Sequence, residues 1–290
     1  MLVHIKDLIK EAEEGGYAIG AYNVHNLESI LGVAQAAVRA CSPAIIQVSE
    51  GAIKYMGLKP TMHIVTTVAK NVAGTVPIAL HLDHGKTMQS VFECIRVGFS
   101  SVHIDASDLP LDENVRLTKA VIEVARAKGV WVQGEIGAIV GGHGSAGDFI
   151  EIPKADPKDV IEFVKATDVD TIAAAIGTAH GTYTNEDIDL GLLKAIKQKV
   201  KKPFVLHGGS GIEDKKIKQA IKEGVRIINI GTDIKTAFCR TLISMCAANP
   251  EETDPRKLMS PTIKAVEEVV YKKMELFGSA GRCKFAPVET

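Results

Sequence analysis

Eight short β-rich runs recur along the chain, at residues 18–24, 43–49, 76–83, 100–106, 130–136, 170–177, 203–208 and 226–231, and helical patterns lie between them. Alternation of this kind implies parallel pairing, because each strand must be returned to the same edge by a crossover helix. Near-continuous apolar runs such as PAIIQVS imply strands buried on both faces. Eight such units in about 250 residues favour a closed (β/α)8 TIM barrel over an open doubly wound sheet. Apolar residues at helical spacing over 27–40, 61–74 and 113–129 predict helices, the last closed by Gly129. The opening stretch MLVHIKDLIKEAEEGG predicts an amphipathic N-terminal helix, and residues 260–281 an extra C-terminal one. Nothing divides the chain, so residues 1–290 are expected to form a single barrel domain. Two connections break the rhythm: a long glycine-rich loop over 137–157, which reads as a lid or substrate loop, and an irregular stretch over 247–261.

Composition narrows the functional classes. With 34 basic and 35 acidic residues the net charge is -1, and no basic block marks a nucleic-acid or membrane surface. No apolar run reaches the roughly 18 residues that span a bilayer, and the N-terminal helix carries too many charges for a signal peptide. The five cysteines, at 41, 94, 239, 246 and 283, show no CxxC pair and no even framework, so they read as reduced thiols in a cytoplasmic protein.

Nearly every predicted strand carries a polar residue near its C-terminal end: Asn23, Ser49, Asp83 with His84, Asp105, Glu135, His207 and Asn229, with His180 just past the sixth. In a barrel these ends converge on one mouth, where active sites of this architecture are built. His84, His180 and His207 come from three strands and can meet as neutral imidazoles. Three protein ligands and an open position suit a catalytic zinc ion, whereas a structural site would be closed by four. Asp83 then reads as an acid/base beside a ligand, and Asp105 and Glu135 as residues supporting the ligands or holding a second cation. His25, His81 and His103 read as hydrogen-bonded core or rim residues, and His4 and His63 as surface residues in helices. The glycine-rich ends VLHGGSGI and INIGTDI place backbone N–H groups with Ser210, Asn229 and Thr232 just before helix starts, a phosphate-binding pattern for the seventh and eighth units.

Together, HLDHG, AIGTAHG, HGGSG and NIGTD, in this order and spacing, resemble the class II, zinc-dependent ketose-bisphosphate aldolases, a family that includes fructose- and tagatose-1,6-bisphosphate aldolases. The resemblance implies zinc ligands at His84, His180 and His207 and a catalytic acid/base at Asp83. It implies phosphate contacts at Gly181, Gly208, Ser210, Asn229 and Thr232, often with Na+ or K+ nearby, and substrate contacts at Asn23 and Ser49. Asp105 and Glu135 match acidic residues near the metal, Arg256 resembles a residue reaching the distal phosphate, and family members are usually homodimers or homotetramers.

Cleaving a ketose phosphate between C3 and C4 leaves a carbanion, stabilised either by a lysine Schiff base or by a Lewis acid. No lysine lies within a predicted strand, which favours the metal route. One departure from the family stands out: its loop after the fifth strand reads roughly GGxE, whereas this chain has GGHGSAGD over 141–148. His143, Asp148 or Glu151 are the candidates to replace that glutamate as the second acid/base. Alternatives in other classes are a barrel metallohydrolase and a non-catalytic, metal-binding scaffold subunit. The residues do not choose between the fructose and tagatose bisphosphates, nor exclude another group at C6.

Overall fold

All eight predicted strands form, and the computed structural model, which describes residues 1–139, 151–181 and 186–283, closes them into a parallel barrel in chain order. The strands are β1 Ile19–Asn23, β2 Ala44–Ser49, β3 Ile78–Gly85, β4 Ser101–Ile104, β5 Trp131–Ile136, β6 Thr171–Ala174, β7 Phe204–Leu206 and β8 Val225–Ile230. The first helices are α1 Ile5–Gly15, α2 Leu27–Ala40, α3 Glu50–Met56, α4 Leu58–Asn71, α5 Met88–Val97 and α6 Leu111–Ala127. The remainder are α7 Pro157–Thr167, α8 Leu190–Lys199, α9 Asp214–Lys222, α10 Thr232–Ala248 and α11 Pro255–Phe277.

One apolar core lies inside the barrel, at its N-terminal end. There Ile5, Leu8, Ile9 and Ala12 of α1 pack against Ile19, Ile45, Ala79, Val205 and Ile227 and plug the floor. His4 caps α1 rather than lying within it, its Nδ1 accepting the Lys6 N–H. A second, larger core fills the space between the outer strand faces and the helices. Each fully buried Ile, Val or Phe there contributes about 1.5–3 kcal/mol of burial free energy, so the strand ends rest on a rigid frame.

Two expectations are corrected by the fold. The stretch 247–261 is largely helical: α10 runs to Ala248, and α11 starts at Pro255, with Pro261 inside it. Asp254 accepts the Arg256 N–H as N-cap, and Pro255 supplies a backbone angle already suited to a first turn, so a proline in an irregular-looking stretch starts a helix instead. The cysteines are not all free thiols either, because Cys41 and Cys283 form a disulfide across 242 residues. Cys41 ends α2 and Cys283 follows α11, and only the packing of these helices brings them together, so no local spacing could reveal the pair. Cys94, Cys239 and Cys246 are free. The lid-like loop falls mostly outside the described residues, and with it His143 and Asp148; Glu151 is exposed.

Candidate active site

Toward the strand C-termini the barrel interior turns polar, and its groups are tied to one another. His81 Nδ1 bonds Ser101 at 2.9 Å, Gln47 donates to Asn23 at 2.8 Å, and Asn23 donates to Asp83 Oδ2 at 2.7 Å. Above this layer opens a cleft of about 450 Å³ at the mouth. Asn23, Ser49, Asp83, His84, Asp105 and His180 line one part of it, and Gly181, Gly208, Ser210, Asn229 and Thr232 another. His207 and Glu135 lie buried just beneath. Arg256 is not among the lining residues; its guanidinium is 87% exposed and forks onto Asp254.

The three predicted imidazoles converge. Ring centroids are 4.7 Å apart for His84 and His207, 4.8 Å for His84 and His180, and 5.8 Å for His180 and His207. The donor atoms that come within 4.8 Å of one another are those of Asp83, His84, His103 and His207, and His180 lies outside that group. Ring centres about 5 Å apart are the spacing of imidazoles around one zinc. The orientation fits too. His84 Nδ1 donates to Asp105 Oδ2 at 2.6 Å, and Nε2 of His207 lies 2.8 Å from the side-chain amide nitrogen of Gln133. Each tie leaves the opposite nitrogen facing the site, and those two nitrogens lie 3.0 Å apart. Burial, with the positive charge of His84, lowers His180 to about 4 and His207 well below its ordinary value, so both keep a free lone pair at neutral pH. Burial also opposes charge on His84, yet the carboxylates of Asp83, Asp105 and Glu135 outweigh it and raise this histidine to about 9.

The acids divide by surroundings. Burial would raise Asp83, but His84 and the Asn23 amide outweigh it and hold the carboxyl below the ordinary range. Asp105 is driven down despite its burial, by His84, His103 and Lys86, whose Nζ lies 2.8 Å away. Glu135 is raised to about 7 by burial and by Asp105; its Oε1 accepts Ser107 Oγ at 3.0 Å.

The far side of the cleft is formed by tight glycine turns and a helix start. Gly208 has φ +66°, and a Cβ there would collide with the Ala179 carbonyl oxygen, so only glycine lets β7 turn against β6. Thr178 pins this turn through the His207 carbonyl at 2.7 Å. Helix α10 starts at Thr232 beside the cleft with no side-chain cap from Gly231, and Ser210 Oγ accepts its Asp233 N–H at 3.3 Å. Ser49 also caps α3, accepting the Ala52 N–H.

Comparison with known proteins agrees with this geometry. The model of the family "fructose-bisphosphate aldolase class-II" matches residues 3–282. The chain belongs to the class II fructose-bisphosphate aldolase family. Among curated relatives, a fructose-bisphosphate aldolase from Geobacillus stearothermophilus is 40% identical over 283 residues, 97% of this chain and 98% of that one. The crystal structure of the YdjI aldolase from Escherichia coli K12 superposes with TM-score 0.84 at 33% identity, covering 98% of this chain and all of that one. A fructose-bisphosphate aldolase from Campylobacter jejuni gives TM-score 0.83 at 26% identity, over 97% of each chain. The chain is therefore an aldolase, a carbon–carbon lyase, of a class that is in general zinc-dependent.

Three residues of this aldolase site escape the sequence reading. His103 is fully buried beside this cluster, and its potential ligand atom lies within 4.8 Å of those of Asp83, His84 and His207. Lys235, in the first turns of α10, lines the cleft together with His25, and neither side chain has a bonded partner among the described residues. Their signal is weak, because a lysine in a helix and a histidine in a strand are ordinary until neighbours are known. Lys86 also lines the cleft, but it is paired with Asp105, and the contact raises its pKa despite burial, so its amine stays charged. A protonated amine is no Schiff-base nucleophile, which agrees with the metal class.

Proposed function

We propose that this aldolase catalyses reversible cleavage of a ketose 1,6-bisphosphate, fructose 1,6-bisphosphate first, to dihydroxyacetone phosphate and glyceraldehyde 3-phosphate, with Zn2+ held by His84, His180 and His207. The observation that carries the reading is the convergence of those imidazoles beside an ionised Asp83. When bound, the ion supplies a Lewis acid for the negative charge that develops on the ketose half. Asp83 accepts the C4 hydroxyl proton in cleavage and returns it in condensation. Asn23 donates to Oδ2 and Asn229 to Oδ1, orienting that carboxylate, while the side-chain amide oxygen of Asn229, buried and without a partner among the described residues, is left for a substrate hydroxyl. Gly181, Gly208, Ser210 and Thr232 would receive the C1 phosphate at the α10 N-terminus. Ser49 would meet the aldehyde half, and Lys235, a cleft-lining cation with no bonded partner among the described residues, would meet the distal phosphate; Arg256 of this chain pairs with Asp254. Asp105 orients His84, and Glu135 supports His207 from 3.5 Å. The second proton transfer we assign to the loop, to His143 or Asp148.

The chain would work as a homodimer or homotetramer in the cytoplasm. Supporting the oligomer, Ile234 is the one buried residue of α10, whereas Ile243 is 68% exposed with Cys239 and Cys246 beside it on the outer surface. No helix among the described residues is long and apolar enough to cross a membrane. The test is release of dihydroxyacetone phosphate from fructose and tagatose bisphosphates, with chelator and then zinc added back. Chelator-sensitive release supports the reading, the rate ratio names the epimer, and stimulation by K+ or Na+ would reveal a monovalent site. Zinc binding without release from either sugar would favour another C6 group or the scaffold role.

A further inference from the structure

The ladder between β3 and β4 is broken at the metal cluster. Leu82 pairs with Val102, and the next pair is Gly85 with Ile104, so Asp83 and His84 together face the single residue His103. On its other side β3 pairs with β2 without interruption through Ser49 and Asp83. A bulge of this kind leaves its extra residue outside the ladder. Here it has a functional product: neighbours that would point to opposite faces of a regular strand both line the cleft. His84 has φ +48°, a conformation uncommon for a residue with a side chain. Something must hold it there.

His103 is placed to do so. Its Nδ1 receives the His84 backbone N–H at 3.3 Å, and the two rings lie 4.9 Å apart. The imidazole is fully buried and its Nδ1 is an acceptor, so in the neutral ring the proton sits on Nε2. The nearest acid to Nε2 is Glu135, whose Oε2 lies 3.8 Å away. Gly85 completes the arrangement, since a Cβ there would sit 2.7 Å from the His103 carbonyl oxygen, so the strands can approach this closely only at glycine.

We infer that His103 is a positioning residue for the metal site: by accepting the bulged N–H of His84 it holds that residue in its left-handed conformation and so aims the His84 imidazole. The inference rests on His84 being a zinc ligand. Without the acceptor a part-buried N–H loses its partner, and His84 is free to relax toward a regular strand with its ring turned from the site. An apolar side chain of similar volume would fill the space and still not do this.

The test is zinc affinity, measured by competition with a chromogenic chelator, together with the visible spectrum of the cobalt-substituted protein as a reading of ligand geometry. The variants are His84→Ala, His103→Leu, His103→Asn and His103→Gln. Asparagine offers an acceptor near the place of Nδ1 and glutamine near that of Nε2. We expect zinc Kd to rise about 10- to 100-fold in the leucine and glutamine variants, with an altered cobalt spectrum, and the asparagine variant to stay near the parent. Parental affinity in leucine and glutamine, or equal loss in asparagine and glutamine, overturns the inference. If the leucine variant does not fold, the asparagine and glutamine pair decides. Parental zinc affinity in His84→Ala would remove the zinc-site reading and the inference with it, whereas loss there with no change at His103 removes the inference alone.

Discussion

Asp83 and His84 are adjacent in sequence, and each pushes the other toward its charged form. His84 and the Asn23 amide keep the carboxylate ionised, ready to take a proton, and an asparagine in its place would keep the shape but not the base. Asp83→Asn is expected to lower kcat by about 10²- to 10⁴-fold with zinc content unchanged; loss of zinc instead would make Asp83 part of the metal site. Lys235 belongs to the same scale. A hydrogen bond to a charged group is worth about 1.5–3 kcal/mol, so Lys235→Met should raise KM for a bisphosphate by roughly 10- to 100-fold and change kcat little. Steady-state kinetics on the bisphosphate decide it, and an unchanged KM would show that the distal phosphate is bound elsewhere.

Among the elements, α8 carries a clear pH signature. The Lys197 stem lies close over Gly224 and its Nζ donates to the Lys202 carbonyl at 2.7 Å, and burial lowers the amine to about 8. Its unfolded value is about 10.4, so between about pH 8 and 10.4 the unfolded chain binds the extra proton. The burial penalty is full below pH 8, and this lysine's contribution to stability rises with pH across that window. Thermal melts from pH 7 to 10 should show that gain in the parent and lose it in Lys197→Met; identical slopes would refute the assignment. Elements were also where sequence patterns read most directly. The apolar spacing marks α2 at its observed bounds, Leu27–Ala40, because amphipathic periodicity is local. By contrast β3 extends two residues past its predicted end, because its extra residue is taken up as a bulge within β3 and pairing with β4 resumes at Gly85.

For the whole molecule, the Cys41–Cys283 disulfide closes most of the chain into one loop. It lies at the barrel floor: Cys41 leads into β2, and the end of α11 meets the residue before β1 through the Ala18 N–H and the Phe277 carbonyl at 3.1 Å. A cross-link spanning 242 residues restricts the unfolded chain strongly, by up to about 5 kcal/mol in the chain-entropy model. Cys283→Ser, or reduction of the parent, should therefore lower Tm by several degrees while kcat and KM stay put, since the mouth is at the opposite end. A change in kcat would mean that floor and mouth are coupled. In a reducing cytoplasm the pair would be held open, and the stability difference would be seen only after oxidation.

Sequence alone determined the number of βα units, the parallel closure they imply, and the polar strand ends that became the cleft. These are periodicities of two, of 3.6 and of position within a repeat, and neighbouring residues carry them. His84, His180, His207 and Asp83 were legible for that reason, helped by motifs that resemble an aldolase family. Tertiary structure decided which side chains meet: His103 under the β3 bulge, Lys235 over the cleft beside His25, Cys41 beside Cys283, and Arg256 beside Asp254 within this chain. Such meetings depend on strand register and on how helices pack against one another. A shift of one residue in either moves a side chain to another face, and nothing in the local sequence records which register the closed barrel adopts.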